Sequence, residues 1–150
     1  MKQAIALAVE NVTSHGGGPF GAVVVRDGKV IATGVNRVTT TNDPTAHAEV
    51  VAIRAACTAL GTFQLHGCVV YTSCEPCPMC LSAIYWARVR SVYYGNTRKD
   101  AAKIAFDDDW LYHEVAAPIP RRKLPMQQLL RPEALKVFAE WAAKPDKISY

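Results

Sequence analysis

A pair of cysteines three residues apart, Cys77 and Cys80, constrains the fold of this chain more than any other feature of its sequence. They belong to the segment Cys-Glu-Pro-Cys-Pro-Met-Cys at residues 74–80. Side chains three residues apart share one face of a helix, and Pro78 suits a first helical turn, where its missing N–H costs no hydrogen bond. Two sulfurs held in this way supply half of a tetrahedral zinc site. The other ligands must come from elsewhere in the chain.

The third zinc ligand is predicted to be His47, in the segment Thr-Ala-His-Ala-Glu. Thr45 is placed to cap a helix over residues 46–60, so His47 falls in its first turn. The two cysteines likewise lie at the entry to a helix, where the partial positive charge favours thiolates. Three protein ligands with a fourth position left for water are typical of catalytic zinc sites.

Glu49 follows this histidine by two residues and is predicted to act as the general acid and base. A carboxylate beside the open coordination position can take a proton from water and return it to a leaving group. The two segments together, His-x-Glu and Pro-Cys-x-x-Cys, match the pattern of zinc-dependent base deaminases. Between Glu49 and Pro76 lie 26 residues, enough for one helix and one strand.

Other interpretations of the same residues stay open. A structural zinc site needs a fourth protein ligand, which Cys74 can supply, and the chain would then be a non-catalytic zinc-stabilised domain. Otherwise Cys74 is a packed thiol beside the site. The acidic run at residues 107–109 is by default a solvated loop.

The apolar patterns predict helices that alternate with strands. In the first helix Ile5, Val9 and Val12 are spaced for one buried face, and Asp27 with Gly28 predicts a hairpin turn. Strands joined through helices indicate an α/β fold whose sheet has parallel neighbours and helices on its faces. The predicted helices cover residues 3–13, 46–60, 78–87, 100–105 and 133–142, and the predicted strands cover residues 20–26, 29–36, 68–72, 89–94 and 126–130.

Size, charge and cysteine content exclude several classes of protein. A chain of 150 residues fits one domain, and no apolar run approaches the roughly 18 residues that span a bilayer. Residues 81–150 carry the whole excess of the +4 charge, with 12 basic against 8 acidic residues, which is sparse for a nucleic-acid binder. Five cysteines, three of them crowded together, favour metal thiolates in a reducing cytoplasm over a secreted disulfide framework.

The two motifs resemble those of the cytidine-deaminase-like superfamily. Small cytidine deaminases have a cysteine where this chain has His47, and the Cys-Pro-Met-Cys form is similar to that of the purine deaminases. The whole chain resembles the bacterial guanine deaminase family, whereas tRNA adenosine deaminases usually have a valine where Phe20 stands. The matching stretches are residues 17–22, 39–49, 71–88 and 106–108 and the C-terminal Tyr150.

This resemblance implies a three-layer α/β/α sandwich with a central mixed sheet of about five strands. Residues 1–150 would form a single domain, with residues 131–150 as a C-terminal helix and tail that closes the active site. The implied reaction is hydrolytic deamination of guanine to xanthine and ammonia. Zn²⁺ would be held by His47, Cys77 and Cys80, and Glu49 would transfer the proton.

The resemblance also implies roles for residues outside the zinc motifs. Asn36 would hydrogen-bond the purine, and Phe20 would stack on the base. Tyr150 would be the lid residue of the C-terminal tail, which in a homodimer would in one form close the site of the neighbouring subunit. Asp108 would contact the guanine edge and assist proton transfer. Guanine presents N–H donors on that edge and adenine does not, so a carboxylate acceptor suits guanine.

Two other substrates remain compatible with the sequence. A guanosine deaminase would read the same purine edge. A tRNA-specific adenosine deaminase is favoured only by the positive charge of the second half of the chain.

Overall fold

A computed structural model describes residues 1–149, so the predicted lid residue Tyr150 lies outside the described residues. Its contacts divide the chain into two units, Met1–His113 and Glu114–Tyr150. The proposal that all 150 residues form a single domain stays a prediction. Within the described part the strands are β1 (Gly21–Arg26), β2 (Lys29–Val35), β3 (Val69–Cys74) and β4 (Ser91–Asn96), and the α-helices are α1 (Lys2–Thr13), α2 (Val38–Thr41), α3 (Ala48–Leu60), α4 (Pro78–Trp86), α5 (Arg98–Lys103), α6 (Asp108–Ala116) and α7 (Arg131–Ala143), with one 3-10 turn at Ile119–Arg121.

The strands form one mixed sheet in the order β2-β1-β3-β4. Strand β1 is antiparallel to both β2 and β3, whereas β3 and β4 are parallel and are joined through α4. The predicted hairpin turn is confirmed, since Asp27 and Gly28 both have positive φ angles, 50° and 73°. The predicted α/β class with a mixed sheet is therefore confirmed, whereas the prediction of about five strands is wrong.

Two glycines allow helices to approach both faces of the sheet. A Cβ atom at Gly21 would collide with the backbone of Ala4 in α1, and one at Gly34 would collide with the backbone of Ala48 in α3. Gly34 pairs with Ala22, the neighbour of Gly21 along the strand. Because successive strand residues point to opposite faces, α1 and α3 cover opposite sides of the sheet.

The predicted buried face of α1 is wrong. Ile5, Val9 and Val12 are each about half exposed. The close backbone approach at Gly21 leaves room only for short side chains between helix and sheet. The buried residues of α1 are Ala4, Ala8 and Asn11.

Helix α3 begins two residues later than predicted. Its N-cap is His47, with extended backbone angles, instead of Thr45. Thr45 is engaged elsewhere, because its N–H and hydroxyl both donate to Asp43 Oδ1, at 2.8 and 2.7 Å. The predicted end of the helix is confirmed at Gly61, which has a φ of 63°.

The predicted fifth strand at residues 126–130 is absent from the described part of the chain. A strand is stabilised by backbone hydrogen bonds to a neighbouring strand, and the described residues of the second unit contain none. Met126, Leu129 and Leu130 are exposed instead. The last predicted helix is confirmed as α7. None of the helices within residues 1–149 combines the length and the apolar character that crossing a bilayer requires.

Candidate active site

Three metal-ligating atoms converge where α3 and α4 begin. His47 and Cys77 are the N-caps of the two helices, and Cys80 lies in the first turn of α4. The His47 Nδ1 atom is 3.6 Å from Cys77 Sγ and 3.5 Å from Cys80 Sγ. Tetrahedral zinc, with bonds of about 2.0 Å to nitrogen and 2.3 Å to sulfur, separates such ligand atoms by about 3.5 Å. The three residues therefore fit a zinc ion.

The environment of these residues favours a thiolate at Cys77. A hydrogen bond from the Cys80 side chain lowers the pKa of the Cys77 thiol, and the neighbouring His47 lowers it further. The same contact with Cys77 raises the pKa of His47. The thiolate is the form of cysteine that binds metals, so Cys77 is prepared for ligation.

Cys74 is a buried thiol next to this cluster. Its Sγ donates a weak hydrogen bond to the Thr97 carbonyl oxygen, at 3.7 Å. Burial raises the pKa of Cys74 to about 12, and the negative charge of Asp108 adds to the effect. Among residues 1–149, the potential metal cluster comprises His47, Cys77 and Cys80 without Cys74. This geometry favours an open fourth position over a four-ligand structural site.

Glu49 lies in the first turn of α3 with its side chain buried. Its Oε1 atom accepts a hydrogen bond from the Thr72 hydroxyl, at 2.7 Å. Burial raises the pKa of Glu49, and the hydrogen bond from Thr72 opposes this effect. A carboxyl group with a raised pKa can hold a proton between two steps of a reaction at neutral pH.

A cavity of about 310 Å³ lies over the cluster. This volume is at the lower end of the range for small-molecule pockets. Among the residues that the family resemblance adds to the zinc motifs, Phe20, Asn36 and Asp108 line it, and Tyr150 lies outside the described residues. The full lining is Gly18, Phe20, Asn36, Val38, Thr39, His47, Glu49, Cys74, Glu75, Cys77, Phe106 and Asp108.

Asp108 is the first residue of α6, where the acidic run predicts only a loop. Its side chain is half-buried, and this burial raises its pKa to about 6, with a further contribution from the negative charge of Cys77. Phe106 meets the Phe20 ring edge to face, with a centroid separation of 4.8 Å. An aromatic wall and a carboxylate thus face the same cavity.

Hydrogen bonds and a ring contact join helix α6 to residues 74–80. The Tyr112 hydroxyl donates to the Pro76 carbonyl oxygen, at 2.6 Å, and the Arg98 guanidinium lies over the Tyr112 ring at 4.4 Å. The Arg98 backbone N–H also donates to Glu75 Oε2, at 2.9 Å. Tyr112 lies one helical turn after Asp108, so these contacts hold that carboxylate at the cavity.

Asn11 supports the opposite wall and was not anticipated from the sequence. Its amide nitrogen donates to the backbone oxygens of Gly18 and Asn36, at 2.8 and 2.9 Å. The contact joins α1 to both of these lining residues. One signal was present in the sequence, since Asn11 continues the spacing of Ala4 and Ala8 on the helix. Thr72 carried no such signal, because a β-branched residue in a strand is ordinary.

Comparison with known proteins accounts for this arrangement. Residues 1–96 match the family described as the cytidine and deoxycytidylate deaminase zinc-binding region. The chain belongs to this deaminase family. The superfamily expected from the sequence is confirmed, and with it the cytidine-deaminase-like α/β fold.

Among its relatives, the chain is similar over its full length to guanine deaminase of Bacillus subtilis strain 168, with 53% identity over 150 residues, 100% of this chain and 96% of that protein. The X-ray structure of Bacillus subtilis guanine deaminase matches with a TM-score of 0.96, over 99% of this chain and 95% of that chain. A solved guanine deaminase from Nitrosomonas europaea matches at 35% identity and a TM-score of 0.67, over 71% of this chain and 62% of that chain.

The similarity to tRNA deaminases is shorter. The tRNA-specific adenosine deaminase of Agrobacterium fabrum is 54% identical over 77 residues, 51% of each chain. The chain is thus a homologue of guanine deaminase within a family of zinc-dependent deaminases.

Proposed function

We propose that this protein is a zinc-dependent aminohydrolase that converts guanine and water to xanthine and ammonia. The observation that carries the proposal is the cavity over the His47, Cys77 and Cys80 cluster, which also contains the carboxyl groups of Glu49 and Asp108. Full-length similarity to guanine deaminase supports guanine as the substrate.

His47, Cys77 and Cys80 would hold the metal in this proposal. Zinc bound there supplies Lewis acidity, which lowers the pKa of water enough to provide a nucleophile at neutral pH. The two thiolates and the neutral imidazole leave the fourth position to the reaction. His47 and Cys77 line the cavity, so a zinc ion held by the cluster would be accessible to a substrate bound there.

Glu49 is the proton carrier of the proposed reaction. It takes a proton from the attacking water as the C2–O bond forms and the C2–N3 π bond opens. It then delivers that proton to the 2-amino nitrogen, the C2–N3 π bond re-forms as the bond from C2 to that nitrogen breaks, and ammonia leaves. The resulting 2-hydroxypurine tautomerises to xanthine. Its buried position, which raises its pKa, suits a group that must alternate between both protonation states.

Phe20, Asn36 and Asp108 are the proposed substrate contacts. The Phe20 ring, supported edge-on by Phe106, offers an apolar face on which a purine can stack. Asp108, when ionised, accepts hydrogen bonds from the N–H donors of the guanine edge and assists proton transfer. Asn36 is held by Asn11 at its backbone, and its amide can bond the polar atoms of the base.

Replacing Asp108 with Asn is expected to lower kcat/KM for guanine by about 10- to 100-fold, because a hydrogen bond to a charged group contributes about 1.5–3 kcal/mol. Steady-state ammonia release measures the effect, with zinc content determined in parallel. The matched control is Asp107→Asn, which changes an exposed carboxylate next in the chain. Equal kinetics of the two variants would contradict the role of Asp108.

A substrate panel tests the proposed function as a whole. Ammonia release should be fast with guanine and slow with adenine and cytosine. Turnover of guanosine with no turnover of guanine would contradict the proposal and identify the protein as a guanosine deaminase. Conversion of adenosine to inosine in tRNA, with guanine untouched, would favour a tRNA-specific adenosine deaminase, the candidate that the half-length similarity supports.

The proposed assembly is a homodimer in the cytoplasm. Residues 131–150 would close the active site, and in one arrangement the tail of each subunit would close the site of its partner. The exposed apolar residues Leu135, Phe138 and Trp141 recur at helical spacing in α7, and a second copy would cover them. The five cysteines are free thiols, as a reducing compartment allows. Light scattering that gives the 16.4 kDa mass of one chain would contradict the dimer.

Tyr150 is the proposed lid residue. Tyr150→Ala is expected to raise KM for guanine without changing zinc content. An unchanged KM would exclude that role.

A further inference from the structure

We propose that Thr72 is a positioning residue that anchors the Glu49 carboxylate through one of its oxygens and so holds the group in place for proton transfer. The inference rests on the proposed function, because it assigns a purpose to a neighbour of Glu49. It begins from one contact, in which the Thr72 hydroxyl donates to Glu49 Oε1 at 2.7 Å. Both side chains are buried, with 0% of Thr72 and 5% of Glu49 exposed.

The position of the Thr72 hydroxyl is held by the sheet. Strand β3 lies between β1 and β4, and Thr72 pairs with Ala22 on one side and Tyr94 on the other. Its backbone is therefore fixed from both edges. A β-branched side chain also has few available rotamers, so the hydroxyl approaches Glu49 from a defined direction.

The Glu49 carboxylate needs such a contact. The terminal torsion of a glutamate side chain is broad and imposes little orientation by itself. A hydrogen bond from Thr72 restricts that torsion, because it fixes the position of Oε1. Misplacement of a reacting group by about 1 Å can lower a rate by about 100-fold.

Packing does not explain a threonine at this position. Val70 lies two residues earlier on the same face of β3 and belongs to the apolar core. A valine at position 72 would fill nearly the same volume, and a buried hydroxyl is unfavourable unless it is hydrogen-bonded. The hydroxyl of Thr72 is satisfied by Glu49, which supports a role that depends on this hydrogen bond.

The test compares two variants that lack the hydroxyl, Thr72→Val and Thr72→Ala, with Thr72→Ser, which retains it. Thr72→Val and Thr72→Ala are expected to lower kcat for guanine by about 10- to 100-fold with KM changed by less than about threefold. Thr72→Ser should recover most of kcat. Zinc content and the thermal unfolding midpoint are measured for each protein, and kcat is expressed per bound zinc.

A role of Thr72 in packing and a role of its hydroxyl group predict opposite results for Thr72→Val. If Thr72→Val has wild-type kcat and only Thr72→Ala is impaired, packing explains the position and the inference is overturned. The inference is likewise overturned if Thr72→Ser is as impaired as Thr72→Val at equal zinc content.

A double-mutant cycle with Glu49→Gln separates positioning from a general loss of stability. If Thr72 acts through Glu49, Thr72→Val should lower kcat in the wild-type background and have little further effect beside Glu49→Gln. Additive losses would mean that Thr72 acts independently of Glu49. Failure of the wild-type protein to deaminate guanine contradicts the proposed function, whereas an active wild type with fully active Thr72→Val contradicts only this inference.

Discussion

Replacing Glu49 with Gln is expected to lower kcat for guanine by about 10²–10⁴-fold or more, the contribution of a general acid–base group. Glutamine keeps the length of the side chain and can still accept the hydrogen bond from Thr72. It cannot take a proton from water or return one to the leaving nitrogen. The measurement is steady-state ammonia release, together with zinc content.

Zinc content should not change in Glu49→Gln, because Glu49 is not one of the three residues of the His47, Cys77 and Cys80 cluster and glutamine keeps a hydrogen-bonding side chain beside Cys80. Glu10→Gln is a matched control, since it makes the same change at an exposed site on α1. Unchanged turnover in Glu49→Gln would exclude the proposed proton transfer. Loss of zinc together with activity would instead indicate that Glu49 supports the metal.

Replacing Cys77 with Ala is expected to abolish stable zinc binding and, with it, deamination. Only two ligands of the three would remain, and the thiolate that the helix start and the neighbouring side chains favour would be lost. Loss of second-shell partners alone typically costs about 10- to 100-fold in metal affinity, so loss of a direct ligand should cost more. Zinc content after dialysis measures the effect.

Stability gives a second measure of the same change. A ligand that binds only the folded state raises the unfolding midpoint, so added zinc should stabilise the wild-type protein and not Cys77→Ala. Cys57→Ala, which removes a thiol outside the cluster, should behave as the wild type. If Cys77→Ala keeps its zinc, Cys74 becomes the ligand to examine, through the double variant with Cys74→Ala.

Spacing within short segments predicted most of the reactive groups. Cys77 and Cys80 lie three residues apart, so helical geometry places them on one face of the chain. His47 and Glu49 lie two residues apart, so both fall at the start of the same helix. The hairpin turn at Asp27 and Gly28 followed from the same kind of local preference. These features depend on neighbours along the chain, which a sequence displays directly.

The wrong predictions have a common cause, which is competition from distant residues. The apolar row of Ile5, Val9 and Val12 satisfied the helical period, but close contact with Gly21 selected the small residues of α1 for burial. Thr45 is a residue type that often caps helices, but its N–H and hydroxyl donate to Asp43 instead. The segment at residues 126–130 was apolar enough for a strand, but it has no neighbouring strand within the described part of its unit.

By itself, the sequence determined the reaction class, because zinc ligation and proton transfer require specific residue types at specific short spacings. The Cys77 and Cys80 pair and the His47 and Glu49 pair carry that information. Tertiary structure decided how the carboxylate is held. Thr72 lies 23 residues from Glu49 in the chain and 2.7 Å from it in space, because a central strand and a helix start meet there. Contacts of that kind arise from packing between elements, for which no local pattern exists.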